Sequence, residues 1–150
     1  MSDIEKNIIP IIVGVTGHRD LRDEDIPRLK KQVSLIFDEL NNNYPDTPLI
    51  LLSPLTEGAD QLAAEVALEK GVRLFVPLSV PVEEYEKGFT NNVFQNKFNQ
   101  LIKQAEKILI LTEWINCEKE RENNEGPVNA FEYLGAYCNF AESLSKPFAE

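Results

Sequence analysis

Ile8-Ile9-Pro10-Ile11-Ile12-Val13-Gly14-Val15-Thr16-Gly17-His18-Arg19 is the stretch that decides the fold. Ile8 to Val15 is a nearly continuous apolar run, rich in Ile and Val and too short for a typical helix. It stops at Thr16-Gly17-His18-Arg19. A strand covered on both faces, as in a parallel sheet, has no reason to alternate with polar residues, and this one does not. The period then changes. From Asp25 onward Ile26, Leu29, Val33, Ile36, Phe37 and Leu40 recur at three- and four-residue steps, which places them on one face of a helix. Asp23 or Asp25 can cap that helix, and Asn41-Asn42-Asn43 with Pro45 closes it.

The strand and helix pattern repeats downstream. Leu49 to Leu52 is a second apolar run, and Gly58 opens a helix whose Ala59, Leu62, Ala63, Val66 and Ala67 share a face, with Gly71 as its stop. Val72 to Leu78 reads as a third strand, after which Pro77 and Pro81 force an irregular segment. Thr90 has the chemistry of an N-cap for a helix facing inward through Phe94, Phe98, Leu101, Ile102 and Ala105, and Ile108 to Leu111 is a fourth strand. Glu113 to Pro127 is too polar to bury and reads as a mobile loop, followed by a last amphipathic helix through Phe131, Leu134, Cys138 and Ala141. Strands alternating with helices predict an α/β fold, a Rossmann-like open parallel sheet with right-handed crossovers and helices on both faces. A length of 150 residues suits one domain across 1–150.

Composition removes several classes of function. Fifteen basic against twenty-five acidic side chains give a formal charge of -10, and such a polyanion repels nucleic-acid backbones and anionic lipid, so neither is expected as a partner. Cys117 and Cys138 have no metal-like or redox-like spacing, which points to a reducing compartment and no metal. With no run near the roughly 20 apolar residues of a membrane span and no signal-peptide core, the chain reads as cytoplasmic.

Ligands of open parallel sheets sit where strand carboxyl ends meet helix N-termini. Two loops occupy that position. The first is Gly14-Val15-Thr16-Gly17-His18-Arg19, where the glycines allow close backbone approach and Thr16, His18 and Arg19 bring a hydroxyl, an imidazole and a guanidinium. Arg19 suits bidentate contact with phosphate, although it could instead pair with Asp20, Asp23 or Glu24. The second is Ser53-Pro54-Leu55-Thr56-Glu57-Gly58-Ala59-Asp60, where amides around Gly58, Ala59 and Asp60 can hold a phosphate or ribose hydroxyl while Glu57 accepts from the sugar. The loops are expected to converge on one crevice, and replacing Gly58 by Val to harm binding more than folding. Tyr85 and Phe89 can stack on a base or pack in the core. Neither a kinase-type phosphate loop nor G-x-G-x-x-G is present.

V-G-V-T-G-H-R after the first strand and L-L-S-P-L-T-E-G-A-D-Q-L-A-A-E-V-A-L across the second strand and its helix together resemble the SLOG superfamily, the Rossmannoid group of DprA-like and LONELY GUY-like domains. The resemblance runs from about Ile9 to Gly135 and is carried by Gly14, Gly17, His18, Arg19, Ser53, Glu57, Gly58 and Asp60. It implies a crevice for a nucleotide or an ADP-ribose-type signal, as in sensor domains of bacterial nucleotide signalling and antiphage defence, and an effector domain, effector subunit or homo-oligomer as partner. No P-G-G-x-G-T occurs in the chain, so the phosphate loop of the family's phosphoribohydrolases has no counterpart. The expectation is therefore a sensor that needs no cofactor. The alternative is a nucleotide N-glycosidase using Glu57 or Asp60 at the ribose and Arg19 at the phosphate.

Overall fold

In the computed structural model, residues 9–113 and 115–116 are described. Four strands, β1 (Ile11–Gly14), β2 (Leu49–Leu52), β3 (Arg73–Leu78) and β4 (Lys107–Ile110), form one sheet in the order β1-β2-β3-β4. Every pair is parallel, with Ile11 opposite Leu49, Ile50 opposite Arg73 and Phe75 opposite Lys107 opening the three registers. Helices α1 (Ile26–Asn43), α2 (Ala59–Glu69), α3 (Val82–Tyr85) and α4 (Asn92–Gln104) fill the connections. The fold is thus α/β and Rossmann-like.

A sheet laid down in sequence order by right-handed crossovers receives its connecting helices on one face. The core follows that geometry. Leu49, Leu51, Leu74, Val76 and Leu78 cluster with Phe37 of α1, Leu62, Ala63 and Val66 of α2, and Phe98 and Leu101 of α4. Each large side chain so buried contributes about 1.5–3 kcal/mol. The opposite face carries Ile12, Ile50, Leu52, Phe75 and Leu109, and it too is covered, since Ile50 is 0 % and Leu52 1 % exposed. That burial on both faces is why β2 reads as an unbroken apolar run. The last helix expected at Phe131 to Ala141 lies outside the described residues, as does all but the start of the expected loop from Glu113 to Pro127. Residues 111–113 and 115–116 are helical, so the chain turns into helix directly after β4.

Several local expectations change. Pro77 lies inside β3, not in an irregular segment after it. Phe75 O accepts from Ser53 N, so residue 75 and, two positions on, residue 77 turn their backbone toward β2, which ends at Leu52. The missing N–H of Pro77 costs no ladder bond. Asp25 precedes α1 but does not cap it, its carboxylate being held by Arg22 at 2.7 Å and Arg28 at 3.2 Å. Ile36 is turned out at 53 % exposure, while Phe37 is buried. Asn91, not Thr90, caps α4, its side chain accepting from Phe94 N at 3.1 Å. Gly71 follows the end of α2 with φ +72, the left-handed stop that glycine supplies at least cost.

Candidate functional site

β1 and β2 are hydrogen-bonded neighbours, so their carboxyl-end loops emerge side by side and lock together. Ala59 N donates to His18 O at 3.0 Å. A Cβ on Gly58, whose φ is +86, would lie 2.4 Å from the carbonyl oxygens of both His18 and Arg19. A Cβ on Gly17 would lie 2.5 Å from that of Ala59. These glycines are the contact surface between the loops. The expectation that Gly58→Val would harm binding more than folding conflicts with this geometry, because a side chain there meets backbone of the first loop.

The second loop is tied from within. Ser53 is fully buried, and its Oγ donates to Asp60 O at 3.0 Å while accepting from Leu55 N at 3.2 Å. Its hydroxyl thus shapes the turn. Leu55 itself is buried with φ +57, and its carbonyl accepts from Gln61 Nε2 at 3.2 Å. Thr56 Oγ1 donates to Asp60 Oδ2. Glu57 reaches away from the first loop, accepting from Thr90 N at 2.5 Å and Thr90 Oγ1 at 2.9 Å. Both carboxylate oxygens of Glu57 already hold the entry to α4.

Asp60 is 7 % exposed. Burial pushes its carboxyl above the ordinary carboxylate range, against the opposing pull of the Thr56 hydrogen bonds and the Arg19 charge. The Tyr85 phenol is likewise pushed up, chiefly by burial and further by the Asp60 charge, with Arg19 pulling the other way. Arg19, Asp60 and Tyr85 therefore sense one another electrostatically. Arg19 is exposed and has no ion pair among the described residues, whereas Arg22 takes Glu24 and Asp25.

Arg19 borders two cavities. One, of 340 Å³, opens where the β1, β2 and β3 loops meet, with Arg19, Thr56, Val80, Glu84, Tyr85 and Phe89 on its walls. Tyr85 and Phe89 also belong to the core, their ring centroids 5.4 Å and 5.1 Å from that of Phe98. The other, of 460 Å³, has Arg19, Glu57, Gly58 and Gln61 on one side and Thr90 and Phe94 on another. Of the expected site residues, Arg19, Glu57 and Gly58 line these cavities. Gly14, Thr16, Gly17, His18, Ser53, Ala59 and Asp60 line neither. A third hollow of 410 Å³, between α2 and α4 at Leu68 and Gln104, lies away from the strand ends and from all of them. Sequence reasoning missed Gln61 and the Glu57 to Thr90 link. The Gln61 side chain is nearly fully buried, yet it lies almost opposite the stripe of Ala59, Leu62, Ala63, Val66 and Ala67, so the period carried no signal for it. Among the described residues no group of His, Cys, Asp and Glu could hold a metal ion, and no helix is long and apolar enough to cross a membrane.

No model of a known protein family matches the chain. No curated protein matches it. Among solved structures, the chain is similar to part of the DNA processing protein A (DprA) of Streptococcus pneumoniae, at 20 % identity and a TM-score of 0.38. That match covers 59 % of this chain and 27 % of the other, so this chain spans about a quarter of the length of that protein. The parallel architecture stands on its own hydrogen-bonded registers.

Proposed function

We propose that the chain is a binding domain for a nucleotide or nucleotide-derived signal, seated where the first and second loops meet and passed on to a partner domain or subunit. The observation that carries this reading is Arg19, an exposed guanidinium without an ion pair among the described residues, beside the N-terminus of α2 and shared by two cavities. A cation beside a helix N-terminus favours an anionic group such as phosphate. The paired loop motifs, which resemble those of SLOG domains, support the same ligand class. The test is a thermal-shift panel of AMP, NAD, ADP-ribose and cyclic ADP-ribose. A saturable rise in Tm with at least one of them is expected, since a ligand at 100 times its Kd stabilises by about 2.7 kcal/mol. A flat response across the panel would remove the reading.

Asp60 favours one further reading. A carboxyl held above its ordinary value beside a cation and a phenol is a candidate acid for N-glycosidic cleavage. Both oxygens of Glu57 already accept from Thr90, which fixes that carboxylate at the entry to α4. Chromatography of the same incubations separates the two, because free base appearing with turnover makes the domain an enzyme.

A further inference from the structure

Helix α1 turns an apolar pair away from the core. Leu35 and Ile36 are 56 % and 53 % exposed, in the middle of a helix whose inner face is anchored by Phe37. Phe37 packs in the core and lies about half a turn from Leu35, so Leu35 points away from the sheet. Contact with α2 is made by other residues, by Lys30, which pairs with Glu65 at 3.0 Å, and by Asp38, held by Lys70 at 2.8 Å. Aliphatic surface left in water on mid-helix gains from burial only in an assembly.

The polar residues around this pair are ordered by charge. Lys31, Leu35 and Glu39 stand four residues apart and form one exposed row along α1, and rows of that spacing are the ridges that interlock in the commonest helix packing. Neither Lys31 nor Glu39 has an ion pair among the described residues. The row is thus positive at one end, apolar in the middle and negative at the other. A second α1 laid antiparallel across it, with the two Leu35 side chains meeting at a two-fold axis, puts each Lys31 opposite the other copy's Glu39 and each Arg28 opposite the other copy's Asn42. Parallel pairing would set Lys31 against Lys31 and Glu39 against Glu39. A two-fold axis perpendicular to a helix makes its mate antiparallel, so the row is self-complementary under the commonest symmetry of protein dimers.

We propose that the outer face of α1 is the interface of a two-fold homodimer of this chain, closed by Leu35 and Ile36 and set in register by pairs between Lys31 and Glu39. One helix pair is smaller than the roughly 1,600 Å² of a standard interface, and the charge of -10 on each copy opposes approach, so the association is weak and reversible. The cavity beside Arg19, Asp20 and Ile26 lies at the start of α1. Antiparallel pairing sends the two starts to opposite ends of the dimer, and both crevices stay open. The inference names a second copy as one partner of the domain and stands whether or not a nucleotide binds.

The test is sedimentation equilibrium of the whole chain from about 10 µM to about 1 mM, a range that spans weak association. A monomer–dimer equilibrium is expected for the wild type. Leu35→Glu should raise Kd at least tenfold with an unchanged circular dichroism spectrum, since that side chain faces water. Lys31→Glu and Glu39→Lys should each raise Kd at least threefold, and Lys31→Glu/Glu39→Lys together should return it to within twofold of the wild type. The two single changes move the net charge in opposite directions, so general repulsion would weaken one dimer and strengthen the other, whereas the register weakens both. A wild-type chain that stays monomeric throughout the range overturns the interface. So does a Leu35→Glu chain that dimerises as the wild type does, or a pair of charge variants that shift Kd in opposite directions or are not rescued by the double change.

Discussion

Replacing Gly58 by Ala adds one methyl group, and the structure states what that methyl meets. At φ +86 and ψ -121 the residue occupies the mirror image of the β region, where an L side chain is strained by about 1–3 kcal/mol. The new Cβ would also fall 2.4 Å from His18 O and Arg19 O and 2.7 Å from Arg19 C. All three are backbone atoms, and forcing them apart adds about 1–3 kcal/mol in the manner of an overpacked core. The sum, about 2–6 kcal/mol, is a large part of the roughly 5–15 kcal/mol that holds a domain together. At about 2–4 °C per kcal/mol for a chain of this size, Tm should fall by at least about 4 °C. Thermal and urea unfolding followed by circular dichroism measure it. The companion variant Gly17→Ala has no positive φ and meets only the Ala59 methyl, at 2.5 Å. Its cost should be about 1–3 kcal/mol and should be largely relieved in Gly17→Ala/Ala59→Gly, whereas Ala59→Gly should not rescue Gly58→Ala. A Gly58→Ala protein with wild-type Tm would refute the interlocked loops and with them the placement of Arg19.

Three other outcomes follow from the same geometry. Arg19→Ala should weaken a phosphorylated ligand by one to two decades, about 1.5–3 kcal/mol, and spare the nucleoside; an unchanged ratio of the two by calorimetry would return the loop to a purely structural role. Asp60→Asn should remove a pH dependence: with the folded carboxyl raised, stability is greatest below the unfolded value of 3.8 and declines as pH rises through the folded one, so urea midpoints from pH 4 to 7 should fall for the wild type and stay flatter for the variant. Glu57→Ala leaves Thr90 N–H and Oγ1 without their acceptor, at about 1–3 kcal/mol, and amide exchange at Thr90 should quicken more than at Ser53.

The fold was legible because its signals are local. The two central strands are covered on both sides, so Leu49 to Leu52 and Leu74 to Leu78 show as unbroken apolar runs, and helices α1, α2 and α4 declare themselves by period. What periodicity hides is anything that depends on a neighbour in space. Ile36 fits the inward spacing of α1 as well as Phe37 does, yet one faces solvent and the other the sheet. Pro77 looked like a strand breaker because nothing in the sequence says that β2 has already ended beside it. Ser53, Glu57 and Asp60 have the chemistry of ligand groups, and their partners within the fold, Leu55, Thr90 and Thr56, could only be seen once the loops were closed.

Three of those hidden contacts span the same number of residues for two different reasons. Glu57 bonds Thr90, Gln61 bonds Phe94 and Arg73 bonds Glu106, and each pair is separated by 33 residues. Helices α2 and α4 also begin 33 residues apart, at Ala59 and Asn92. The first two links join the β2–α2 unit to the β3–α4 unit, whose strands are 23 residues apart in register, Ile50 opposite Arg73, and whose helices begin 33 apart because the connection from β3 to α4 is the longer one. The Arg73 to Glu106 pair lies on another interface, between β3 and the residue before β4, where the register is 32 with Phe75 opposite Lys107. Lengthening the loop between Leu78 and Val82 should leave Arg73 to Glu106 in place, since the sheet fixes it, and disturb the two upper links, which depend on where α4 begins. The site is thus tuned by the length of that one connection.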